Sequence, residues 1–443
     1  MNISATVSEL HTELVNVDRK RLRFRVDRRA YTDDEVFRRE RDIIFNKCWL
    51  YLGHASEIPA AGDFLTRTVG GYDLIFSRDT AGDIHAYFNA CSHRGSTVCR
   101  ERSGRARVFT CPYHGWVYDL AGRLRDQGAK SGYPANFNAD GAYDLRRVPR
   151  LEAYRDLYFV NYNPRAIGLA EYLAGAADYL DLVADQAESG MEIIAGGVSL
   201  EASGNWKLLM ENSYDAYHGP SLHSTYFEFL DQRVASSNMA GTQSGFGCGL
   251  GMGHGVFELN LRSGRPIAQW IPPFGEDAKP KIEAIKRRLV EKFGRERADR
   301  MAERQRNLII FPNLVVNDNL GISVRTVFPK SPSRMTVDIW VMGPKGEDPM
   351  FRKLRLDNYL TFVGPTGFAT PDDIEAFDLC QRGSVHSPHA WSDISKGMSE
   401  DEDLLHARAD FMDEAQMRGW WAQWDRLIGG AETLEAAAPG DAR

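Results

Sequence analysis

Two short segments of the sequence each place a cysteine close to a histidine. Cys91 and His93 are separated by one residue, and Cys111 and His114 are separated by two. Thiolate sulfur and imidazole nitrogen are strong ligands for zinc and iron. The pattern therefore favours a metal centre held between two segments of the chain.

Three interpretations of these four side chains are open. They could be unrelated core residues, but Gly95 and Gly115, which allow a tight turn after each pair, make coincidence a poor explanation. A structural Cys2His2 zinc site usually takes both cysteines from one segment and both histidines from another. A [2Fe-2S] cluster of the Rieske type binds two thiolates on one iron and two imidazoles on the other. Because each segment here offers one of each, the spacing favours the cluster, with Tyr113 and Trp116 shielding it from water.

A second group of candidate ligands lies in NWKLLMENSYDAYHGPSLH (205–223). At about 100° per residue, Asp215 and His218 share one face of a helix, whereas His218 and His223 lie about 140° apart on a uniform helix. Pro220 stands between the two histidines and cannot continue the hydrogen bonding of a helix. A helix interrupted there can bring both imidazoles to one ion, and two imidazoles with a carboxylate suit non-haem Fe(II).

The elements that must position these residues change in type along the chain. From about residue 50 to 165, short apolar runs such as DLIF (73–76) and IHAYFN (84–89) alternate with turn signals, which predicts an all-β region. After residue 165, helical patterns mix with strands. ISVRTVF (322–328) and MTVDIWVM (335–342) predict an antiparallel hairpin.

Several helices are predicted from periodicity and capping signals. Thr32 with Glu35 matches a capping box, and Thr370 with Pro371 predicts an N-cap and first helical position. Residues 206–217 and the charge-rich residues 278–305 also have helical patterns. Near the end, one helical face is expected to dock on the core through Met417, Trp420, Trp421, Trp424 and Ile428.

The composition excludes several classes of function. The net charge of −7 disfavours nucleic-acid binding, and 43% hydrophobic residues is ordinary for a globular chain. No apolar run approaches the length of a membrane span, and the N-terminal residues lack the apolar stretch of a signal peptide. We therefore expect a cytoplasmic protein without a membrane anchor, whose cysteines are metal ligands or free thiols.

The paired motifs resemble those of a known family. CSHRG…CPYHGW is similar to the C-x-H-R-G…C-x-x-H-G-W pattern of Rieske proteins. FNKCWLYLGH (45–54) and the D-x-x-H-x₄-H spacing at 215–223 resemble the Rieske non-haem iron aromatic ring-hydroxylating oxygenases, in particular their large (alpha) subunit. The resemblance covers the chain from about residue 40 to 390.

The resemblance implies an α+β fold in which a Rieske-type all-β domain precedes a helix-covered antiparallel-sheet catalytic domain. The predicted divisions are an N-terminal helical segment packing on the catalytic domain (1–45), a Rieske [2Fe-2S] domain (46–165), a mononuclear iron domain (166–430) and a flexible tail (431–443).

The resemblance also assigns roles to the candidate residues. The cluster ligands would be Cys91, His93, Cys111 and His114, and the iron ligands His218, His223 and Asp373. Asp372 competes with Asp373 for the last position, and an Asp-Asp pair at a helix start is otherwise only a favourable dipole partner. Asp215 is the predicted catalytic position, because the family aspartate there links an iron-binding histidine to a Rieske histidine of the next subunit. Here it would link His218 to His114 of a neighbouring chain.

The activity implied by the resemblance is dioxygenation of an aromatic substrate, including aromatic carboxylates, to a cis-dihydrodiol in aromatic catabolism. Electrons would come from NADH through a reductase, with or without a ferredoxin. The subunits would form a homotrimer or three alpha subunits with three small beta subunits. Two alternatives remain: a Rieske monooxygenase that hydroxylates or demethylates, and a zinc-stabilised interaction protein.

The substrate pocket is expected around 206–260 and 307–330. Arg325 is a candidate partner for a substrate carboxylate, although it lies on a predicted strand where a structural salt bridge is an equal possibility. The candidate apolar lining residues are Leu209, Phe227, Phe246, Leu314 and Val316, and for each of them an ordinary core position is the alternative.

Overall fold

The structure is a computed structural model that describes residues 12–233, 244–260, 265, 267–319 and 321–436. The chain forms two compact units. We call Phe45–Leu169, with the chain from Leu434 onward, the β unit, and the residues up to Ile44 with Ala170–Thr433 the α+β unit. The sequence predicted divisions at 45/46 and 165/166, and the structure places them at 44/45 and 169/170.

The chain enters the α+β unit first, through two strands and two short helices. These are β1 (Val15–Asp18), β2 (Arg23–Asp27), α1 (Arg29–Thr32) and α2 (Asp34–Arg39). A π-helical segment, Glu40–Phe45, follows α2 directly.

The described residues of the β unit form ten short strands in three antiparallel sheets. The strands are β3 (Leu50–His54), β4 (Asp63–Val69), β5 (Tyr72–Arg78), β6 (Ile84–Phe88), β7 (Ser103–Arg105), β8 (Val108–Thr110), β9 (Val117–Asp119), β10 (Leu124–Asp126), β11 (Arg150–Tyr154) and β12 (Leu157–Asn161). The sheet orders are β6-β5-β4-β7, β10-β9-β8 and β11-β12-β3. The all-β texture predicted for residues 50–165 is therefore present in the structure.

The hairpin of β4 and β5 shows how local sequence sets the register. Gly70 and Gly71 form its two-residue turn with φ of 60° and 91°, and Val69 pairs with Tyr72. Two consecutive left-handed residues match the twist of the flanking strands, and glycine adopts that conformation without steric cost. The buried core of this unit includes Phe64, Tyr87 and Trp116.

The rest of the α+β unit alternates helices with strands. Its helices are α3 (Leu169–Leu173), α4 (Ala176–Ala184), α5 (Trp206–Asn212), α6 (Gly219–Leu222), α7 (Ser224–Arg233), α8 (Ala278–Phe293), α9 (Arg295–Glu303), α10 (Pro349–Phe362), α11 (Thr370–His386) and α12 (Ala415–Ile428). Its strands are β13 (Met191–Ser203), β14 (Ser244–Gly249), β15 (Gly255–Asn260), β16 (Arg304–Ile310), β17 (Leu314–Asp318), β18 (Ile322–Ser331), β19 (Arg334–Pro344), β20 (Trp391–Asp393) and β21 (Arg408–Asp410).

An eight-stranded antiparallel sheet, ordered β13-β19-β18-β17-β16-β15-β14-β21, is the centre of this unit. β18 and β19 form the hairpin that the sequence predicted, with Val324 opposite Trp340. Helix α12 packs on β14 and β15 and is buried along almost its whole length, while α5, α10 and α11 pack on β13, β18 and β19. The fold class is α+β, as predicted.

Two predicted helix caps are wrong by one residue. Asp33, not Thr32, accepts hydrogen bonds from the N–H groups of Glu35 and Val36, because Thr32 already belongs to α1. Thr370 is the first residue of α11, and its hydroxyl donates to the carbonyl of Val363 at 2.8 Å instead of capping the helix. A cap depends on where the preceding backbone turns, which the local sequence does not settle.

Three predicted segments also differ in extent. The helix predicted over 206–217 stops at Asn212, and the helix predicted over 278–305 is divided into α8 and α9 at Gly294. The predicted tail contains a buried residue, Leu434, whose carbonyl accepts from the N–H of Ile167 at 3.1 Å. Residues 437–443 of that tail lie outside the described residues.

Among the described residues, no helix combines the length and apolar character needed to cross a membrane.

Candidate metal centres

Two loops in the β unit present the paired cysteines and histidines. One loop follows β6 and the other follows β8. Each loop closes on itself in the same way: the N–H of Gly95 donates to the carbonyl of Cys91 at 2.8 Å, and that of Gly115 donates to the carbonyl of Cys111 at 3.0 Å. Both glycines have φ near 70°, which explains the residue type at each turn.

The loops bury both thiols, leave His93 half-buried and expose His114. Cys91 and Cys111 are 4% and 2% exposed, whereas His114 is exposed. The His93 and His114 rings lie 4.6 Å apart between centroids, and Trp116 stacks on His93 at 4.8 Å. The four candidate ligands are therefore brought together at one end of the β unit.

The aromatic shield is only partly as predicted. Trp116 is 1% exposed and covers His93, but Tyr113 is 58% exposed and packs beside His114 at the surface. Tyr118, instead of Tyr113, contacts the candidate ligands from inside the unit. Its hydroxyl lies 3.2 Å from Cys91 Sγ and accepts a hydrogen bond from the N–H of Ser92 at 3.1 Å.

These residues fit a [2Fe-2S] cluster by their donor chemistry. His93 Nδ1 is buried and has no hydrogen-bond partner, which is costly unless the nitrogen binds something else. Burial raises the pKa of the Cys91 thiol, whereas at Cys111 the effect of burial is outweighed by hydrogen bonds from the Tyr113 backbone and from Cys91, so the pKa of the Cys111 thiol lies below its ordinary value. A lowered thiol pKa favours the thiolate that binds iron.

The second centre lies in the α+β unit, where the helix carrying the histidine motif is interrupted. Helix α5 ends at Asn212, and the short helix α6 begins at Gly219 with Pro220 in its first turn. His218 precedes α6 and His223 follows it, and their Nε2 atoms lie 3.2 Å apart. The interruption therefore removes the angular separation that a uniform helix would impose.

The first turn of α11 supplies the third ligand. Asp373 Oδ1 lies 3.7 Å from His218 Nε2 and 3.4 Å from His223 Nε2. Asp372 Oδ2 instead lies 3.4 Å from His223 Nδ1, on the far side of that ring. Among the described residues, only His218, His223 and Asp373 form such a group of potential metal ligands within 4.8 Å. The geometry thus favours Asp373 as a ligand. It places Asp372 where its carboxylate can orient the imidazole ring of His223.

The carboxylates make this pocket favourable for a cation. Burial lowers the pKa of His223, but Asp373 and then Asp372 outweigh that effect, and the net pKa is raised. The same negative charge that stabilises an imidazolium here would stabilise a bound metal ion. Two imidazoles and a carboxylate on one side match the donor set of non-haem Fe(II) sites.

Asn212 is a site residue that the sequence analysis missed. Its Nδ2 donates to Asp373 Oδ1 at 3.0 Å and lies 3.3 Å from His218 Nε2. The sequence pattern placed Asn212 inside a longer helix, although it is the last residue of α5. The available signal was its position three residues before Asp215 in the same motif.

Asp215 stands next to the histidine pair. Its Oδ2 atom lies 3.2 Å from His218 Nδ1, although the pair is not aligned as a hydrogen bond, and its Oδ1 accepts from the N–H of Tyr217 at 2.7 Å. Asp215 is half-buried, and Tyr217 beside it is 53% exposed.

Two family models match the chain in the regions of the two centres. Residues 48–138 match the Rieske [2Fe-2S] domain, and residues 191–416 match the catalytic domain of the ring hydroxylating alpha subunit. The chain belongs to the ring-hydroxylating alpha-subunit family. A Rieske [2Fe-2S] cluster and a mononuclear iron are the cofactors of this family, so the chain is a Rieske non-haem iron dioxygenase and not a zinc-stabilised interaction protein.

Curated relatives of this alpha subunit cover most of its length. The chain is 34% identical to the 2-halobenzoate 1,2-dioxygenase large subunit of Burkholderia cepacia, over 89% of this chain and 84% of the relative. It is 35% identical to the toluate 1,2-dioxygenase alpha subunit of Pseudomonas putida, over 87% and 84% respectively. It is 32% identical to the anthranilate 1,2-dioxygenase large subunit of Acinetobacter baylyi, over 91% and 89%.

Solved structures show the same fold. Naphthalene 1,2-dioxygenase from Rhodococcus sp. aligns with a TM-score of 0.78 and 26% identity, covering 92% of this chain and 94% of that one. A quaternary ammonium Rieske monooxygenase aligns with a TM-score of 0.66 at 18% identity, which is a likeness of fold alone.

A cavity of about 600 Å³ opens onto the three potential iron ligands of the alpha subunit. Of the five predicted lining residues, only Phe227 lines it. Leu209, Leu314 and Val316 are buried in the core, and Phe246 lies under the guanidinium of Arg408 at 3.3 Å. The error arose because periodicity identifies a buried face but does not distinguish packed core from cavity wall.

The lining of the cavity combines apolar and polar side chains, which meet where β15 pairs with β16. Aromatic and aliphatic side chains come from α7, β15 and α10: Tyr226, Phe227, Phe257, Leu259 and Phe362. Amides and one guanidinium come from β16 to β18 and the residue after β17: Gln305, Asn307, Asn317, Asn319 and Arg325. A ligand with a ring at one end and a polar group at the other suits this arrangement.

Proposed function

We propose that the chain is the terminal oxygenase component of a system that converts an aromatic acid to a cis-dihydrodiol. In the balanced reaction, the arene, O2, NADH and a proton give the diol and NAD⁺. A separate reductase, with or without a ferredoxin, delivers the electrons. The observation that carries the proposal is the group of His218, His223 and Asp373 at the wall of a cavity with an aromatic lining.

The proposed cluster ligands are Cys91, His93, Cys111 and His114, and the proposed iron ligands are His218, His223 and Asp373. When bound, the cluster supplies single electrons and the iron supplies activation of O2. The residues around them hold these ligands in position: Asp372 orients the His223 ring, and Asn212 donates to the Asp373 carboxylate. The aromatic residues exclude water from the cavity and bind the substrate ring.

We further propose that Asp215 positions His218 and links it to His114 of a neighbouring subunit in a trimer, or in an assembly of three alpha and three beta subunits. The support is that Asp215 contacts His218 and that His114 and Tyr113 are exposed on their own unit. A cytoplasmic location is part of the same proposal.

The substrate class is supported by the relatives. Three of them are named for 2-halobenzoate, toluate and anthranilate, each of which carries a carboxylate on an aromatic ring. The polar wall of the cavity is chemically suited to such a group.

The test is product analysis with the purified protein, a reductase, NADH and benzoate. We expect red-brown protein with about three irons and about two acid-labile sulfides per chain. We also expect a cis-diol formed in proportion to the NADH consumed. A phenol, or formaldehyde from a methoxy substrate, would instead identify a monooxygenase, and NADH use without oxygenated product from any aromatic acid would contradict the proposal.

A further inference from the structure

Strand β18 contributes one charged side chain to the polar side of the cavity. Among the described residues that line it, Arg325 is the only arginine or lysine. Arg325 pairs across the sheet with Val315 on β17 and Ile339 on β19, so its backbone is fixed in the centre of the eight-stranded sheet. A guanidinium at a rigid position in a cavity is suited to recognising an anion.

The contacts of the half-buried Arg325 differ from those of the buried arginines in this unit. Each of four others is paired with a carboxylate: Arg265 and Arg306 with Asp318, Arg355 with Glu347, and Arg418 with Glu402. Arg325 donates through Nη2 to the amide oxygen of Asn317. Its Nε is enclosed and has no hydrogen-bond partner, and no carboxylate of the described residues lies within ion-pair distance of it.

An enclosed guanidinium without an anion is energetically costly. The nearest compensating charge is that of Asp373, which opposes the effect of burial on the pKa of Arg325 without reversing it, so that the pKa is lowered. Asp373 is also the proposed metal ligand, and a divalent ion bound to one carboxylate and two neutral imidazoles keeps a positive charge. Once Asp373 is bound to a metal ion, its charge is shared with that ion and no longer serves Arg325 alone, so an anionic ligand beside Arg325 would supply the missing counter-charge. The other carboxylates of the lining, Asp215 and Glu228, form no ion pair with Arg325.

We propose that Arg325 binds the carboxylate of the aromatic acid substrate and thereby selects acids over neutral arenes. This inference rests on the proposed function and specifies the residue that recognises the substrate class. Asn317, which itself accepts a hydrogen bond from Ser323 Oγ at 3.3 Å, holds the guanidinium through Nη2, and the donors of Arg325 that face the cavity bind the substrate carboxylate. The ring occupies the apolar side lined by Phe227, Phe257 and Phe362.

A purely structural role makes a different prediction. If Arg325 served only to hold Asp373 in position through its charge, its replacement would change the affinity for iron and would weaken the binding of acids and of neutral arenes alike. A substrate-binding role predicts that iron is retained and that only the acids bind more weakly.

The experiment compares holoenzyme variants Arg325→Gln and Arg325→Lys with Arg334→Gln, an exposed arginine paired with Glu201 outside the cavity. Calorimetry measures binding of benzoate and of its neutral analogue benzamide, and iron is quantified in each sample. We expect Arg325→Gln to weaken benzoate binding about 10- to 100-fold, as for loss of a hydrogen bond to a charged group, and to change benzamide binding less than about threefold. Arg325→Lys should be intermediate, and Arg334→Gln should match the wild type.

Benzoate affinity within about threefold of wild type in Arg325→Gln would overturn the inference, as would loss of iron from both Arg325 variants. Its failure is distinct from failure of the proposed function. A wild-type protein that converts toluene to a cis-diol but does not bind benzoate would retain dioxygenase activity and remove the role of Arg325. Benzoate binding that depends on Arg325, without any oxygenated product, would support the role of Arg325 and contradict the proposed function.

Discussion

Two adjacent aspartates in the first turn of α11 make different contacts with the histidine pair, and this difference assigns them different roles. Asp373 Oδ1 lies within 3.7 Å of both His218 Nε2 and His223 Nε2, whereas Asp372 reaches only the opposite nitrogen of His223. Neighbouring residues of a helix point about 100° apart, so only one of the two carboxylates can face a given ion.

We predict different metal contents for the two aspartate variants. Asp373→Ala should lose the mononuclear iron and keep the [2Fe-2S] cluster, because the two centres use different ligands. Asp372→Asn should keep iron at stoichiometric concentration but bind it about 10- to 100-fold more weakly, as expected for a residue that orients a ligand. Iron analysis and the visible spectrum measure both effects, and loss of iron from Asp372→Asn but not from Asp373→Ala would reverse the assignment.

Glu211 is a carboxyl group whose charge depends on pH near neutrality. Burial raises its pKa to about 7, although the Tyr31 hydroxyl and Trp421 Nε1 donate to it at 2.7 Å. Because the folded state binds this proton more tightly than the unfolded chain, its contribution to stability is full below pH 4.5 and is lost as the pH rises through about 7.

We therefore predict that Glu211→Gln stabilises the protein more at pH 8 than at pH 5.5. The gain at pH 8 should be at most about 3 kcal/mol, from 1.36 kcal/mol per pKa unit. Thermal melting of wild type and variant across this range gives the difference, with exposed Glu201→Gln as control. A difference that does not change with pH would show that Glu211 is ionised throughout.

Helix α5 is held in place by a buried ion pair with the segment that follows α2. Lys207 Nζ lies 2.6 Å from Glu40 Oε1, and both side chains are fully buried. Trp206 Nε1 and Trp424 Nε1 also donate to Glu40 at 2.9 Å. One carboxylate thus joins the N-terminal segment, the histidine-motif helix and α12.

Lys207→Met should destabilise the α+β unit by about 3–5 kcal/mol, because it leaves the Glu40 charge buried without its cation. Its melting temperature should fall by several degrees, and the double variant Glu40→Gln with Lys207→Met should recover part of that loss. Lys353→Met, which removes an exposed pair with Asp357, should have an effect below about 0.5 kcal/mol. Equal melting temperatures for Lys207→Met and Lys353→Met would contradict this account.

The elements also show what local sequence can and cannot predict. The hairpin of β18 and β19 and helix α12 follow from alternation and periodicity, which are properties of a few neighbouring residues. The choice between Asp372 and Asp373, the role of Asn212 and the lining of the cavity depend on contacts between segments far apart in sequence. Cap positions at Thr32 and Thr370 failed for the same reason, since an earlier turn decided where each helix began.

The two proposed metal centres lie in different compact units of the chain, and a variant at Asp215 tests how they cooperate. We predict that Asp215→Ala keeps both centres, as judged by iron, sulfide and the visible spectrum, yet loses most of its product formation. Single-turnover reduction of the cluster should stay normal, because Asp215 is not a ligand. Asp401→Ala, on an exposed loop, is the matched control. Full product formation by Asp215→Ala would remove this residue from the link between subunits.

The β unit is built from two stretches of chain that are distant in sequence. The bridge between Ala166 and Glu435, with the N–H of Ala436 donating to the carbonyl of Arg165 at 2.8 Å, brings the late stretch onto the early one. A translating ribosome releases the cysteine loops more than 300 residues before the stretch around Leu434. A nascent chain arrested before residue 434 therefore presents those loops on a unit whose final backbone pairing has not yet been made.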